Sequence, residues 1–232
     1  MTVRLLCFPY AGGNAKGYTR WRRHLPDWIE VAPVQLPGRG ERVRHTPLST
    51  WDDLMADVLA RVGEHDGPVA LFGHSLGALL AFECARALSA AGREPLWLFA
   101  SGHRAPHLAM REAPISHLPD DEFVAALSGS PTAAALADPA FRDLLLPMLR
   151  ADFTVSETYS FTEADPLRCP LTVLGGTEDP DVNAAELVAW HRHTTGPFDV
   201  WTTPDDHFFV DRAPAAVAGE VAARLAKAGP PG

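Results

Sequence analysis

Six short apolar runs punctuate the chain: Val3–Phe8, Ile29–Val34, Val69–Phe72, Leu96–Ala100, Leu171–Leu174 and Phe198–Trp201. Several are apolar throughout, the pattern of strands buried on both faces. Between them the spacing turns helical. Trp51, Leu54, Met55, Val58, Leu59 and Val62 recur at i, i+3 and i+4, which predicts an amphipathic helix. Thr50 with Asp53 three residues on resembles a capping box at its start, and Gly63 and Gly67 end it. A second helix is predicted over Leu76–Ala91, with Gly92 as its C-cap, and others over Val182–Trp190 and Pro214–Leu225. The tail Ala228-Gly229-Pro230-Pro231-Gly232 is expected to fray. Alternating strands and helices predict an α/β fold: a mostly parallel sheet covered by helices on both faces.

One gap breaks the alternation. The strand ending at Ala100 and the one starting at Leu171 are 71 positions apart, far more than one crossover helix needs. Helical patterns at Pro119–Leu127, Thr132–Leu136 and Pro139–Glu157 fill the excess. A helical insertion there reads as a lid over the strand ends, or as a subdomain without a gating role. The expected division is a core of residues 1–102 and 165–232 with a lid at 103–164.

Length and composition narrow the picture slightly. At 232 residues, 47% apolar and 21% charged, the chain suits one large globular domain. A net charge of −9 argues against a nucleic-acid partner. Cys7, Cys84 and Cys169 are widely spaced and odd in number, so no disulfide framework is expected. The first apolar run is too short for a signal peptide and none approaches a membrane span. A cytoplasmic monomer is the expectation.

Candidate chemistry begins at Gly73-His74-Ser75-Leu76-Gly77, between an apolar strand and a helix. That is the context of the G-x-S-x-G nucleophile elbow. The serine sits on a strained turn, and glycines two positions either side relieve the crowding. The helix N-terminus favours negative charge at the same place. A serine needs a base and an orienting acid, which in this arrangement follow in the order acid, then histidine. Glu178, Asp179 and Asp181 crowd the loop after Leu171–Leu174, and spacing does not choose firmly among them. Of the later histidines, His191 and His193 end a helical pattern, whereas His207 lies in a loop after the last strand and is the candidate base. Its neighbours Asp205 and Asp206 either raise its pKa, compete as orienters or face solvent. Oxyanion donors are expected at the backbone N–H of Leu76 and, from the loop Phe8-Pro9-Tyr10-Ala11-Gly12-Gly13, at that of Ala11.

Taken together, the chain resembles the type II thioesterases of polyketide synthase and nonribosomal peptide synthetase clusters, which are stand-alone α/β-hydrolases with a helical lid. The resemblance rests on Phe8–Gly13, Leu36-Pro37-Gly38-Arg39, Gly73–Ala78 and Leu118–Phe123. It continues through Leu149-Arg150-Ala151-Asp152-Phe153 with Glu157 and Tyr159, Gly175–Asp179 and His207-Phe208-Phe209. It implies an α/β-hydrolase fold and a triad of Ser75, Asp179 and His207, with Glu178 and Asp181 left as surface or helix-end charges. It implies as substrate an acyl group on the phosphopantetheine arm of an acyl or peptidyl carrier protein, with no cofactor of the enzyme's own. A carboxylesterase or an acyltransferase would share the same triad. Tyr10, Phe123, Leu127, Leu145 and Met148 are the candidate acyl-pocket residues, those of the insertion serving equally as lid core. The pair Asp205-Asp206 departs from the family's smaller residues before the histidine. Arg20, Arg22, Arg23, Arg39, Arg42 and Arg44 cluster in sequence and are read either as a docking patch for an acidic carrier or as a solvated surface.

Overall fold

In the computed structural model, which describes residues 2–63 and 67–228, the six apolar runs form one parallel sheet. Strands β1 (Val3–Phe8), β2 (Ile29–Pro33), β3 (Val69–His74), β4 (Trp97–Ser101), β5 (Leu171–Gly176) and β6 (Phe198–Thr203) lie in the order β2-β1-β3-β4-β5-β6. The helices are α1 (Lys16–Thr19), α2 (Trp51–Val62), α3 (Leu76–Ala90), α4 (Asp120–Ala126), α5 (Ala133–Leu136), α6 (Pro139–Thr158), α7 (Ala184–Val188), α8 (Phe209–Arg212) and α9 (Pro214–Lys227).

Successive strand side chains point to opposite faces, and this divides the core in two. Leu6, Phe8 and Leu71 join α2, α3 and Trp190 on one side of the sheet. Val3, Leu5, Cys7 and Phe72 join Tyr18, Trp21 and the apolar stripe of α9 on the other. The inner strands β1, β3, β4 and β5 are buried on both faces, whereas the edge strands β2 and β6 are partly open, with Glu30 and Asp199 exposed. The three cysteines are free and buried, and burial pushes the thiols of Cys84 and Cys169 up to about 12.

Helix ends follow the local signals. Thr50 Oγ1 accepts the Asp53 N–H at 3.3 Å at the start of α2. Gly92, just beyond α3, takes a φ of 73° that a side chain would resist. The helix expected over Val182–Trp190 is shorter: Asn183 and Glu186 form a capping box ahead of α7, and the chain tightens to a 3-10 turn over Ala189–His193. Residues 229–232 of the expected frayed tail lie outside the described residues.

The segment between β4 and β5 carries α4, α5 and α6, and has its own apolar cluster built on Phe123, Leu127, Leu136, Leu146, Met148 and Leu149. Two features of the sheet then place the chemistry. β1 and β3 are neighbours, but the chain leaves β1 for β2 on one side and β3 for β4 on the other. The loops at their carboxyl ends diverge, and the crevice so formed is where a ligand fits in an open α/β sheet. Among the described residues, no helix is long and apolar enough to cross a membrane.

Candidate active site

Ser75 stands at that crevice, between β3 and α3. Its φ of 54° and ψ of −121° make it the one non-glycine residue with positive φ among the described residues. Such a conformation costs on the order of 1–3 kcal/mol and persists only where the surroundings enforce it. Here they do. A Cβ on Gly73 would lie 1.8 Å from the Gly77 carbonyl oxygen, and one on Gly77 would lie 2.2 Å from that of Phe8. The same close approach seats the first turn of α3 against the end of β1, which brings the loop after β1 beside the serine. The Ser75 N–H donates to the Ser101 carbonyl at 2.8 Å, while Ser75 Oγ makes no hydrogen bond among the described residues.

His207 and Asp179 come together from adjacent strands. Asp179 follows β5 and His207 follows β6, and His207 Nδ1 lies 2.8 Å from Asp179 Oδ2. The Asp179 side chain is fully buried, and its other oxygen accepts the Asp181 N–H at 2.9 Å. Backbone bonds tie the two loops: Thr177 N–H to Thr203 O at 2.8 Å and Glu178 N–H to Asp205 O at 3.0 Å. Gly176 permits this crossing, since a Cβ there would sit 2.2 Å from the Asp205 carbonyl oxygen. With Nδ1 engaged, Nε2 is the nitrogen left to handle a substrate proton.

The charge balance around His207 is resolved by geometry. Burial alone would lower its pKa. The hydrogen bond and charge of Asp179, with the charges of Asp181 and Asp206, outweigh that, and the net shift is upward from 6.5. Asp206 is occupied elsewhere, pairing with Arg212 at 2.6 Å and accepting the Phe208 N–H at 3.0 Å. Neither Asp205 nor Asp206 competes with Asp179 as the partner of Nδ1. Asp181 is closer than a plain surface charge, with a carboxylate oxygen 4.0 Å from Nδ1. Asp179, Asp181 and His207 are also the one acid–histidine group among the described residues compact enough to share a metal ion. The Asp179–His207 hydrogen bond, however, uses the Nδ1 that such an ion would need.

Two N–H groups complete the arrangement. Leu76 heads α3, so its N–H has no carbonyl four residues back within the helix. The Ala11 N–H has no acceptor among the described residues. A strained serine, a histidine held by a buried carboxylate and two unpaired N–H groups are the parts acyl transfer requires.

The thioesterase domain model matches residues 3–229. This chain belongs to the thioesterase family. Among solved structures, the thioesterase is similar to ClbQ from the colibactin NRPS/PKS pathway, at 33% identity over 98% of both chains with a TM-score of 0.93. It is similar to the type II thioesterase BorB from the borrelidin biosynthetic cluster, at 36% identity, a TM-score of 0.86 and coverage of 97% and 92%. Among sequences it is 43% identical to linear gramicidin dehydrogenase LgrE of Brevibacillus parabrevis, over 90% of this chain and 82% of that one. The dehydrogenase activity in that name finds no G-x-G-x-x-G dinucleotide fingerprint in the present chain. The fold, with its parallel sheet, is that of the α/β-hydrolases, and the thioesterase is a hydrolase of thioesters.

The other expected residues fall in two places. Tyr10 packs edge-on to His74 and Phe208, with ring centroids 5.8 and 5.5 Å away, and its hydroxyl donates to Asp211 at 2.6 Å. Burial first, and Asp211 second, hold it well above the usual phenol range, so it stays neutral. It also lines a cavity of about 510 Å³ with Gly12, Lys16, Arg20, Pro131 and Asp211. Phe123, Leu127 and Met148 do not line that cavity; they are buried in the insertion's own cluster, with Leu145 packed against it.

The arginine cluster needs correcting. Arg20, Arg22, Arg23 and Arg44 are exposed, but Arg39 and Arg42 are only 5% and 8% exposed. Arg39 pairs with Asp152 through two hydrogen bonds of 2.6 Å, and Arg42 does the same with Asp57. Their charges are spent inside the molecule and offer nothing to an acidic carrier. Local reading missed Asp152, Asp57 and Asp211 as the partners of Arg39, Arg42 and Tyr10. For Asp152 the signal is present in the sequence, in the Arg150-Ala151-Asp152-Phe153 segment that carries part of the family resemblance.

Proposed function

We propose that the chain hydrolyses acyl groups from the phosphopantetheine arm of acyl or peptidyl carrier proteins, clearing stalled or mis-primed chains from a biosynthetic assembly line. The observation that carries the chemistry is the Asp179–His207 hydrogen bond of 2.8 Å, with the His207 ring 5.1 Å from that of His74, the residue before the serine held at positive φ. The origin of ClbQ in an NRPS/PKS pathway and of BorB in a biosynthetic cluster supports the choice of carrier.

In this reading Ser75 Oγ attacks the thioester carbonyl as His207 Nε2 takes its proton. The oxyanion is held by the N–H groups of Ala11 and Leu76. The C–S bond breaks, and the proton passes from His207 to the departing pantetheine thiolate. Water then attacks the acyl-serine with His207 again as base, and the acid leaves as Ser75 recovers its proton. Asp179 keeps Nδ1 engaged and stabilises the imidazolium. No step calls for a metal or redox cofactor. Residues 103–164 serve as the lid over this site on a core of residues 1–102 and 165–232, and the work is done in the cytoplasm.

The test is release of short acyl groups from a phosphopantetheinylated carrier protein, beside p-nitrophenyl esters, with Ser75→Ala as control. The reading requires carrier turnover that Ser75→Ala abolishes. Ester cleavage without carrier turnover would move the assignment to a carboxylesterase.

A further inference from the structure

The Pro37-Gly38-Arg39 and Arg150-Ala151-Asp152-Phe153 segments have no part in the mechanism above, yet their charged residues meet. Arg39 and Asp152 are 113 positions apart in sequence and bind each other in parallel, Nη1 to Oδ2 and Nη2 to Oδ1, each at 2.6 Å. Their side chains are 5% and 4% exposed. A buried ion pair by itself is weak evidence for stability, since desolvation cancels much of the attraction. What this pair grips is more informative. Asp152 Oδ2 also accepts the Gly12 N–H at 2.7 Å, and Arg39 Nη1 also donates to the Gly13 carbonyl at 3.2 Å. Arg39 Nε and Nη2 are anchored on the Pro37 carbonyl at 3.2 and 3.3 Å. One end of the pair therefore holds the N–H, and the other the C=O, of adjoining residues in the loop after β1.

Ala11 precedes that grip directly. The Ala11 N–H shares a rigid peptide plane with the Tyr10 carbonyl, and that carbonyl accepts the Gly13 N–H at 2.8 Å. Holding Gly12 and Gly13 therefore holds the Tyr10–Ala11 plane as well, with the Ala11 N–H left without an acceptor among the described residues. Gly12 adopts a φ of 77°, and a Cβ there would strike Leu149 Cδ2 at 2.5 Å, so α6 packs directly on the loop. Asp152 lies on the same helix.

We infer that Arg39 and Asp152 are positioning residues for the oxyanion hole: the pair holds Gly12 and Gly13 so that the Ala11 N–H faces the carbonyl attacked by Ser75, and it makes α6 part of the catalytic frame. This rests on Ala11 being an oxyanion donor and Ser75 the nucleophile. A purely structural pair would lower the folded fraction and leave each folded molecule as active as before. A positioning pair lowers the turnover of each folded molecule. It also weakens binding of a tetrahedral adduct, which carries an oxyanion, more than binding of a planar ligand.

The experiment uses Asp152→Asn, which keeps shape and removes charge, and Arg39→Lys, which keeps charge and loses the fork. Steady-state kinetics on an acyl-carrier thioester are counted per Ser75 labelled to completion with a fluorophosphonate, so a poorly folding variant still reports. In parallel, affinity is measured for an alkyl trifluoromethyl ketone and for a non-hydrolysable thioether analogue of the substrate. The inference predicts kcat per labelled serine lower by roughly 10- to 100-fold, with KM within about threefold. It predicts ketone binding weakened by a similar factor, with thioether binding unchanged, and the Arg39→Lys loss smaller than that of Arg39→Ala. Wild-type kcat per labelled serine in Asp152→Asn, or equal weakening of ketone and thioether, overturns it. Should the wild-type protein release no acyl group from the carrier yet bind the ketone at Ser75, the carrier reading fails, and ketone affinity alone decides the positioning role.

Discussion

Replacing Phe123 by alanine separates two roles for the apolar residues of the insertion. Phe123 is 0% exposed, packs edge-on to Phe153 at 5.6 Å, and lies under the Arg150 guanidinium at 4.7 Å. Truncating a buried phenylalanine costs roughly 3–5 kcal/mol. Arg150 keeps its bonds to the Ser116 and Leu118 carbonyls and to Asp120, so the loss is one of packing. The cluster it leaves is small and separate from the two cores on the sheet. We therefore expect the damage to appear as local opening rather than global unfolding. Hydrogen-exchange mass spectrometry should show protection across α4 and α6 falling by at least ~100-fold, with β3 and β4 unchanged. Because α6 supports the loop carrying Ala11, turnover should fall by one common factor for short and long acyl groups. The reasoning is refuted if Phe123→Ala leaves exchange unchanged and instead alters acyl-chain preference, for the side chain would then line the acyl pocket.

Three further outcomes follow from the same geometry. Gly73→Ala puts a Cβ 1.8 Å from the Gly77 carbonyl oxygen; a backbone shift of about an ångström should cost ~100-fold in kcat and on the order of 1–3 kcal/mol of stability, read by kinetics and thermal melting. His207 must be neutral to act as base, so kcat/KM should fall as pH drops through its raised pKa. Asp181→Asn removes one upward influence, and pH–rate profiles should show the acid limb at lower pH with the plateau retained. His103 and His193 are held neutral mainly by burial, with pKa values lowered from 6.5 to about 3 and about 4. Their stabilising effect is complete above 6.5 and lost as pH falls toward those values, so melting temperature should drop over that window, and less in His193→Gln.

The centre of the sheet was legible because burial on both faces leaves an unbroken apolar run, as in β3 and β4, whereas the edge strand β6 is half-exposed and interrupted by Asp199. The strands extend past those runs where little side chain signals them, at Gly73-His74 and Gly175-Gly176. The four-residue helices α1 and α8 offer too few positions for any period to show. The elbow was legible because steric demand writes glycines into the sequence at fixed spacing. The choice among Glu178, Asp179 and Asp181 was not, since all three share a loop; the geometry separates them by a distance to Nδ1 of 2.8 Å for Asp179 and 4.0 Å for Asp181. The arginines misled for a related reason. Proximity in sequence made Arg39 and Arg42 look like one patch, whereas their partners lie 113 and 15 residues away.

The central claim is that Ser75 carries the acyl group between thioester and acid. The most direct measurement is intact-protein and peptide mass spectrometry of the chain mixed with an acyl-carrier protein and quenched in acid within milliseconds to seconds. The account predicts an adduct of the acyl mass on the peptide containing Ser75, formed before free acid accumulates and absent in Ser75→Ala. Acid release with no adduct, or an adduct on another residue, would contradict it.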